Sequence, residues 1–130
     1  MHTKILMTSS SVFMGLLGIA ALFFPGEILQ ALNQNETIIS SLLVQMAGTL
    51  LFAFAMLNWM SRLNVIGGIY NRPVAIGNFT HFMVGAIFLI KTVAAGLNYT
   101  SVFILCAVYI VFAIWFGKIF FTHPVTENDK

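Results

Sequence analysis

The chain is short of charge: Asp, Glu, Lys and Arg together make up 8% of its 130 residues, about a third of the share in an ordinary soluble domain. A soluble fold of this size needs a polar shell, and 59% hydrophobic residues with a mean hydropathy of +0.94 leave little to build one from. Lipid is the expected solvent, because a helix facing acyl chains has no use for Lys or Glu on its outer surface. Cysteine is nearly absent as well. Cys106 stands alone inside an apolar run, which excludes an intrachain disulfide and a two-cysteine redox pair. With no basic neighbour in sequence it reads as a small core or lipid-facing residue rather than a reactive thiolate. Histidine occurs three times, with His2 and His123 toward the chain ends, so no zinc ligand set is present and neither a metal nor another cofactor is expected. The scattered basic residues offer no footprint for nucleic acid, and no glycine-rich phosphate loop occurs. No acidic residue falls within a long apolar stretch, which argues against a proton-coupled exporter of the small multidrug type, whose chemistry needs an intramembrane carboxylate.

What is there is apolar sequence in lengths that match a bilayer. A spanning helix takes roughly 20 predominantly apolar residues, and four such stretches run approximately over 5–24, 38–60, 74–97 and 101–121. Pro25-Gly26 stops the first, and Ile28, Leu29 and Leu32 then form one face of a short interfacial helix over about 26–33. Asn35 or Thr37 can cap the second span, with Glu36 complementing its dipole. Pro73 suits the first turn of the third, Asn98 closes it, and Thr100 or Ser101 can cap the fourth. The first stretch is too long for a signal peptide and ends in Phe23-Phe24-Pro25 without a small-x-small cleavage site, so it reads as a retained anchor. The expected fold is all-α: an integral membrane four-helix bundle, antiparallel and up-down-up-down, with residues 1–130 forming one transmembrane domain.

Orientation follows from the basic residues. Lys4, Arg62, Arg72, Lys118 and Lys130 all belong to the N-terminal, second-loop and C-terminal side, whereas the opposite loops carry only Glu27 and Glu36. The positive-inside rule then places both termini in the cytoplasm of a multi-pass inner-membrane protein, with Trp59, Trp115 and Tyr99 as interfacial aromatics. Asn35, Asn78 and Asn98 each open an Asn-x-Ser/Thr triplet; one falls within a span and two lie close to the membrane plane, so they read as chance rather than glycosylation acceptors.

Polar groups in hydrocarbon are costly and usually turn toward the bundle interior, which makes them the functional pointers. With antiparallel spans and short loops, Thr8, Ser9, Ser10 and Ser11 come level with Asn58, and with Asn78, Thr80 and His81, as one layer in the cytoplasmic half. Gly77, His81 and Gly85 recur at i, i+4 and i+8, so the imidazole projects from a face of small residues, with Asn78 one turn back. Such a group can bind a polar headgroup or small ligand, or relay a proton near physiological pH. The competing reading is a buried histidine clamping helices through Ser10, Ser11 or Asn58. Lys91 lies toward the outer end of the third span, level with Gln45 and Ser41. It either snorkels to the outer headgroups or Glu36, or pairs with Gln45 as a buried cation awaiting an anionic ligand. Small residues also stripe the first span at Ser11, Gly15 and Gly18 and recur in the second at Ala47-Gly48 and Ala53-x-Ala55, favouring tight contacts within one bundle or between two copies.

The run Gly15-Leu16-Leu17-Gly18-Ile19-Ala20-Ala21-Leu22-Phe23-Phe24-Pro25 with Glu27, then Leu57-Asn58-Trp59-Met60 with Arg62, then Arg72-Pro73 leading to Asn78, resembles small bacterial four-helix membrane proteins of the DoxX-like group and related domains of unknown function. The resemblance covers the first three spans. It implies a compact four-helix bundle and a family mostly without assigned chemistry, some members being linked to redox membrane complexes or to assembly of other membrane proteins. It carries no catalytic residue across. The four-helix glutathione and eicosanoid enzymes offer no match, since their Arg-rich, Glu-containing second-helix motif has no counterpart between Ile38 and Arg62.

The expected function is that of a small inner-membrane accessory or binding protein. Its ligand-binding candidates are His81, Asn78, Asn58, Ser10, Ser11, Lys91 and Gln45. Its partners would be membrane lipids, another membrane protein or a second copy of itself. The alternatives are a dimeric small transporter or channel and, third, a membrane enzyme acting on a lipid or quinone with His81 as acid or base.

Overall fold

The computed structural model describes residues 2–63 and 71–122; His123 and Lys130, used above for composition and orientation, lie outside them. Five helices follow in order: α1 (His2–Phe23), α2 (Pro25–Ala31), α3 (Ile38–Ser61), α4 (Arg72–Ala94) and α5 (Thr100–Thr122), with no strand among the described residues. All but α2 are long and apolar enough to cross a membrane.

Helix ends follow local chemistry more closely than apolar runs do. Pro25 takes the first position of α2, where no N–H is needed. That helix closes with Asn33 in the left-handed region at φ 52°, Asn33 N–H donating to the Gln30 carbonyl and Gln34 N–H to the Leu29 carbonyl. This paired closure is the Schellman arrangement. The same device ends α4: Gly96, at φ 102°, donates to the Val93 carbonyl and Leu97 to the Thr92 carbonyl. Gly96, not Asn98, therefore closes the third span, and α4 stops at Ala94 rather than near Leu97. Thr37 is the cap of α3. Its Oγ1 accepts the Ser40 N–H at 3.1 Å while the Ser40 hydroxyl accepts the Thr37 N–H at 2.8 Å, a reciprocal box in which serine stands where glutamate is usual.

Within the spans, hydroxyl and amide side chains turn back on their own helices. Thr49 donates to the Gln45 carbonyl, Thr92 to that of Phe88, Thr122 to that of Lys118, and the Asn78 amide to that of Val74. Each bond reaches a carbonyl four residues earlier, which satisfies a polar group without water.

The chain divides into two compact units, Met7–Met60 and Met1–Leu6 with Ser61–Lys130. In the first, α1 and α3 run antiparallel, since Ser11 meets Ala55, Gly18 meets Gly48, and Leu22 meets Gln45. A Cβ added to Gly18 would lie 2.9 Å from the Gly48 carbonyl oxygen and the Phe52 nitrogen, and one added to Gly48 would lie 2.9 Å from the Gly18 carbonyl oxygen. Main chain thus rests on main chain, and the small-residue stripe of the first span makes its contact inside this chain. In the second unit, α4 and α5 are also antiparallel, as the pairings of Phe79 with Gly117, Phe82 with Phe112, and Gly85 with Tyr109 require. Rings fill the space between them. Phe82 is fully buried and stacks on Phe112 at 4.8 Å and Phe116 at 5.7 Å, while Phe79 stacks on Phe120 at 6.3 Å.

Candidate functional site

His81 stands nine residues past the start of α4 (72 to 81) and Tyr109 nine past the start of α5 (100 to 109), about 14 Å along each helix at 1.5 Å per residue. In antiparallel helices of this length the two side chains meet near mid-span. His81 Nε2 lies 3.0 Å from the Tyr109 hydroxyl. In one tautomer the phenol donates to Nε2, and in the other Nε2–H donates to the phenol oxygen. The imidazole is half-buried and Tyr109 is buried. Phe82 meets both rings edge-on, at 5.2 Å from His81 and 5.1 Å from Tyr109.

Gly85 makes this geometry possible. A Cβ there would sit 2.5 Å from Tyr109 Cε1, so the tyrosine ring occupies the space a side chain would fill, one turn along α4 from His81. The face of small residues expected around His81 thus receives a ring at Gly85. Sequence reading missed Tyr109. An aromatic in an apolar run passes as lipophilic, yet a phenol in mid-span needs a hydrogen-bond partner, and that requirement was the available signal.

Ser10, Ser11 and Asn58 come together in the α1–α3 pair. Asn58 Nδ2 donates to Ser10 Oγ at 3.0 Å, and Ser10 in turn donates to the Met7 carbonyl at 3.1 Å. The Met14 sulfur lies 3.8 Å from the same amide nitrogen. Ser11 Oγ donates across to the Ala55 carbonyl at 2.7 Å. Ser10, Asn58 and Asn78 are fully buried, and among the described residues no buried side-chain nitrogen or oxygen lacks a hydrogen-bond partner.

Gln45 and Lys91 each serve a helix end. The Gln45 amide donates to the Leu22 carbonyl at 3.2 Å, one of the carbonyls that the end of α1 leaves without an intrahelical donor. Lys91 is exposed and belongs to the last turn of α4, because the helix ends at Ala94. There its ammonium complements the negative end of the helix dipole. Glu36 lies against Gly26 of α2, both carboxylate oxygens 2.8 Å from where a Cβ would be, and accepts the Ser41 hydroxyl at 3.4 Å. Cys106 is buried, in keeping with its reading as a packing residue.

No protein-family model, curated protein or solved structure matches the chain. Among the described residues no group of three or more His, Cys, Asp or Glu side chains is placed to hold a metal ion. Among the described residues, His81 with Tyr109 couples two ionisable side chains across α4 and α5, whereas Ser10 with Asn58 couples two non-ionisable ones across α1 and α3.

Proposed function

We propose that this protein is a small accessory subunit of the inner membrane, its four spans packed as an up-down-up-down bundle with both termini cytoplasmic, and that His81 with Tyr109 forms the element engaging a polar group of a partner helix or small ligand. The observation that carries the proposal is the His81–Tyr109 bond at mid-span, with the imidazole only half-buried. An ionisable side chain at that depth is a functional candidate by default, and here it is held in one orientation by a phenol. The resemblance of the first three spans to DoxX-like proteins supports an accessory role. A headgroup is the weaker ligand for this site, because mid-span lies below headgroup depth.

The test is purification of the full chain from native membranes in mild detergent, followed by native electrophoresis of wild type, His81→Ala and Tyr109→Phe. An accessory subunit migrates in a larger complex that His81→Ala dissolves while its far-UV circular dichroism stays helical. If wild type migrates alone, or the substitution only lowers thermal stability, the pair is a helix clamp and the proposal fails.

A further inference from the structure

The last turn of α4 and the turn after it enclose an open groove of about 600 Å³ lined by Phe88, Lys91, Thr92, Ala95, Gly96 and Leu97. Its polar inventory is short. The Thr92 hydroxyl is committed to the Phe88 carbonyl, and the Gly96 and Leu97 N–H groups close the helix end. Lys91 remains: its ammonium makes no ion pair or hydrogen bond among the described residues. Gly96 adds space, since nothing lies within 4 Å of where its Cβ would be.

The helix face continuing from this groove decides what fits it. Ile87 and Phe88 lie three and four residues after Val84, and Lys91 lies four and three after them, so all four share one face of α4. All four are exposed, at 44%, 55% and 62% for the three apolar ones. A single cation therefore stands at the head of an apolar ladder about two turns long. A free anion would use only the lysine. A phospholipid uses both parts, its phosphate on the ammonium and an acyl chain along Val84, Ile87 and Phe88.

We infer that the Lys91 groove is a binding subsite for one anionic phospholipid at the end of the α4–α5 pair. Lys91 supplies the charge, Phe88 and Leu97 wall the glycerol region, and the groove at Gly96 gives the headgroup room. The inference rests on α4 crossing a membrane and is independent of the His81–Tyr109 reading, so either can fail alone.

The test is native mass spectrometry of the full chain in detergent, titrated with dioleoylphosphatidylglycerol or dioleoylphosphatidylcholine. Wild type is expected to retain the anionic lipid about fivefold more tightly, the increment of one lysine against an anionic headgroup. Lys91→Gln should erase that preference and Lys91→Arg should keep it. Lys118→Gln, which removes the same charge at the far end of the hairpin, should also keep it. A preference surviving in Lys91→Gln, an equal loss in Lys118→Gln, or displacement of the lipid by excess inorganic phosphate would each overturn the inference. The first two would mean unspecific charge attraction, and the third a free-anion site.

Discussion

In the α1–α3 pair, glycines bring main chain onto main chain; in the α4–α5 pair, glycines make sockets for rings. Gly18 and Gly48 oppose each other's carbonyl oxygens, whereas Gly85 and Gly117 face Tyr109 and Phe79. Both arrangements begin with a missing side chain on an apolar helix, and both gain from contact where lipid is as apolar as the protein. They differ in what can yield. A backbone carbonyl held in its own helix cannot move without breaking the ladder, while a ring can turn about its χ angles. The glycine opposite a backbone is therefore the more demanding position.

The sharpest way to break this contrast is to fill the sites one methyl at a time. Gly48→Ala and Gly18→Ala are each expected to destabilise the fold by about 2–3 kcal/mol, the range for overpacking that cannot relax, measured by denaturant titration in mixed micelles. Gly15→Ala is the internal control. Its added Cβ would meet the Ala55 Cβ at an ordinary 3.5 Å, so its effect should stay within about 0.5 kcal/mol. Equal costs at Gly15 and Gly18 would dissolve the distinction.

Gly85→Ala comes next, at about 1–2 kcal/mol, because Tyr109 can swing aside. Combining it with Tyr109→Leu should recover most of that loss. A double-mutant cycle without coupling would mean that the ring does not depend on its socket. Thr37→Ala, which removes the α3 cap, should cost about 1 kcal/mol and weaken amide-exchange protection in the first turn of α3 rather than at mid-helix. The smallest effects belong to single hydrogen bonds. Ser11→Ala in one pair and Tyr109→Phe in the other should each cost about 0.6 kcal/mol, the typical worth of an interhelical bond in a membrane. A much larger loss in Tyr109→Phe would give the ring-filled pair a polar keystone that the other lacks.

The four long helices were legible because hydrocarbon imposes a length on whatever crosses it, and both hairpin pairings are antiparallel as short loops demand. Helix ends were less so. At Gly96-Leu97-Asn98 two residues tolerate the left-handed region, and the apolar run continues through Leu97, so composition favours the later stop while backbone closure uses the earlier one. That shift of a few residues moves Lys91 from within the span into its final turn. Within the α1–α3 pair the expected depths were legible, and the Ser10–Asn58 bond follows from them. Partners were not, because they depend on rotation about each helix axis. Spacing of glycines around His81 signals room for a neighbour without saying whether a backbone or a ring arrives.

The Gly18–Gly48 approach also bears on leakage. Where two polypeptide backbones touch, the seam is narrower than a water molecule, so no file of hydrogen-bonded waters can thread between these two rods and no proton can hop along it. At that level the α1–α3 seam is closed by its smallest residues.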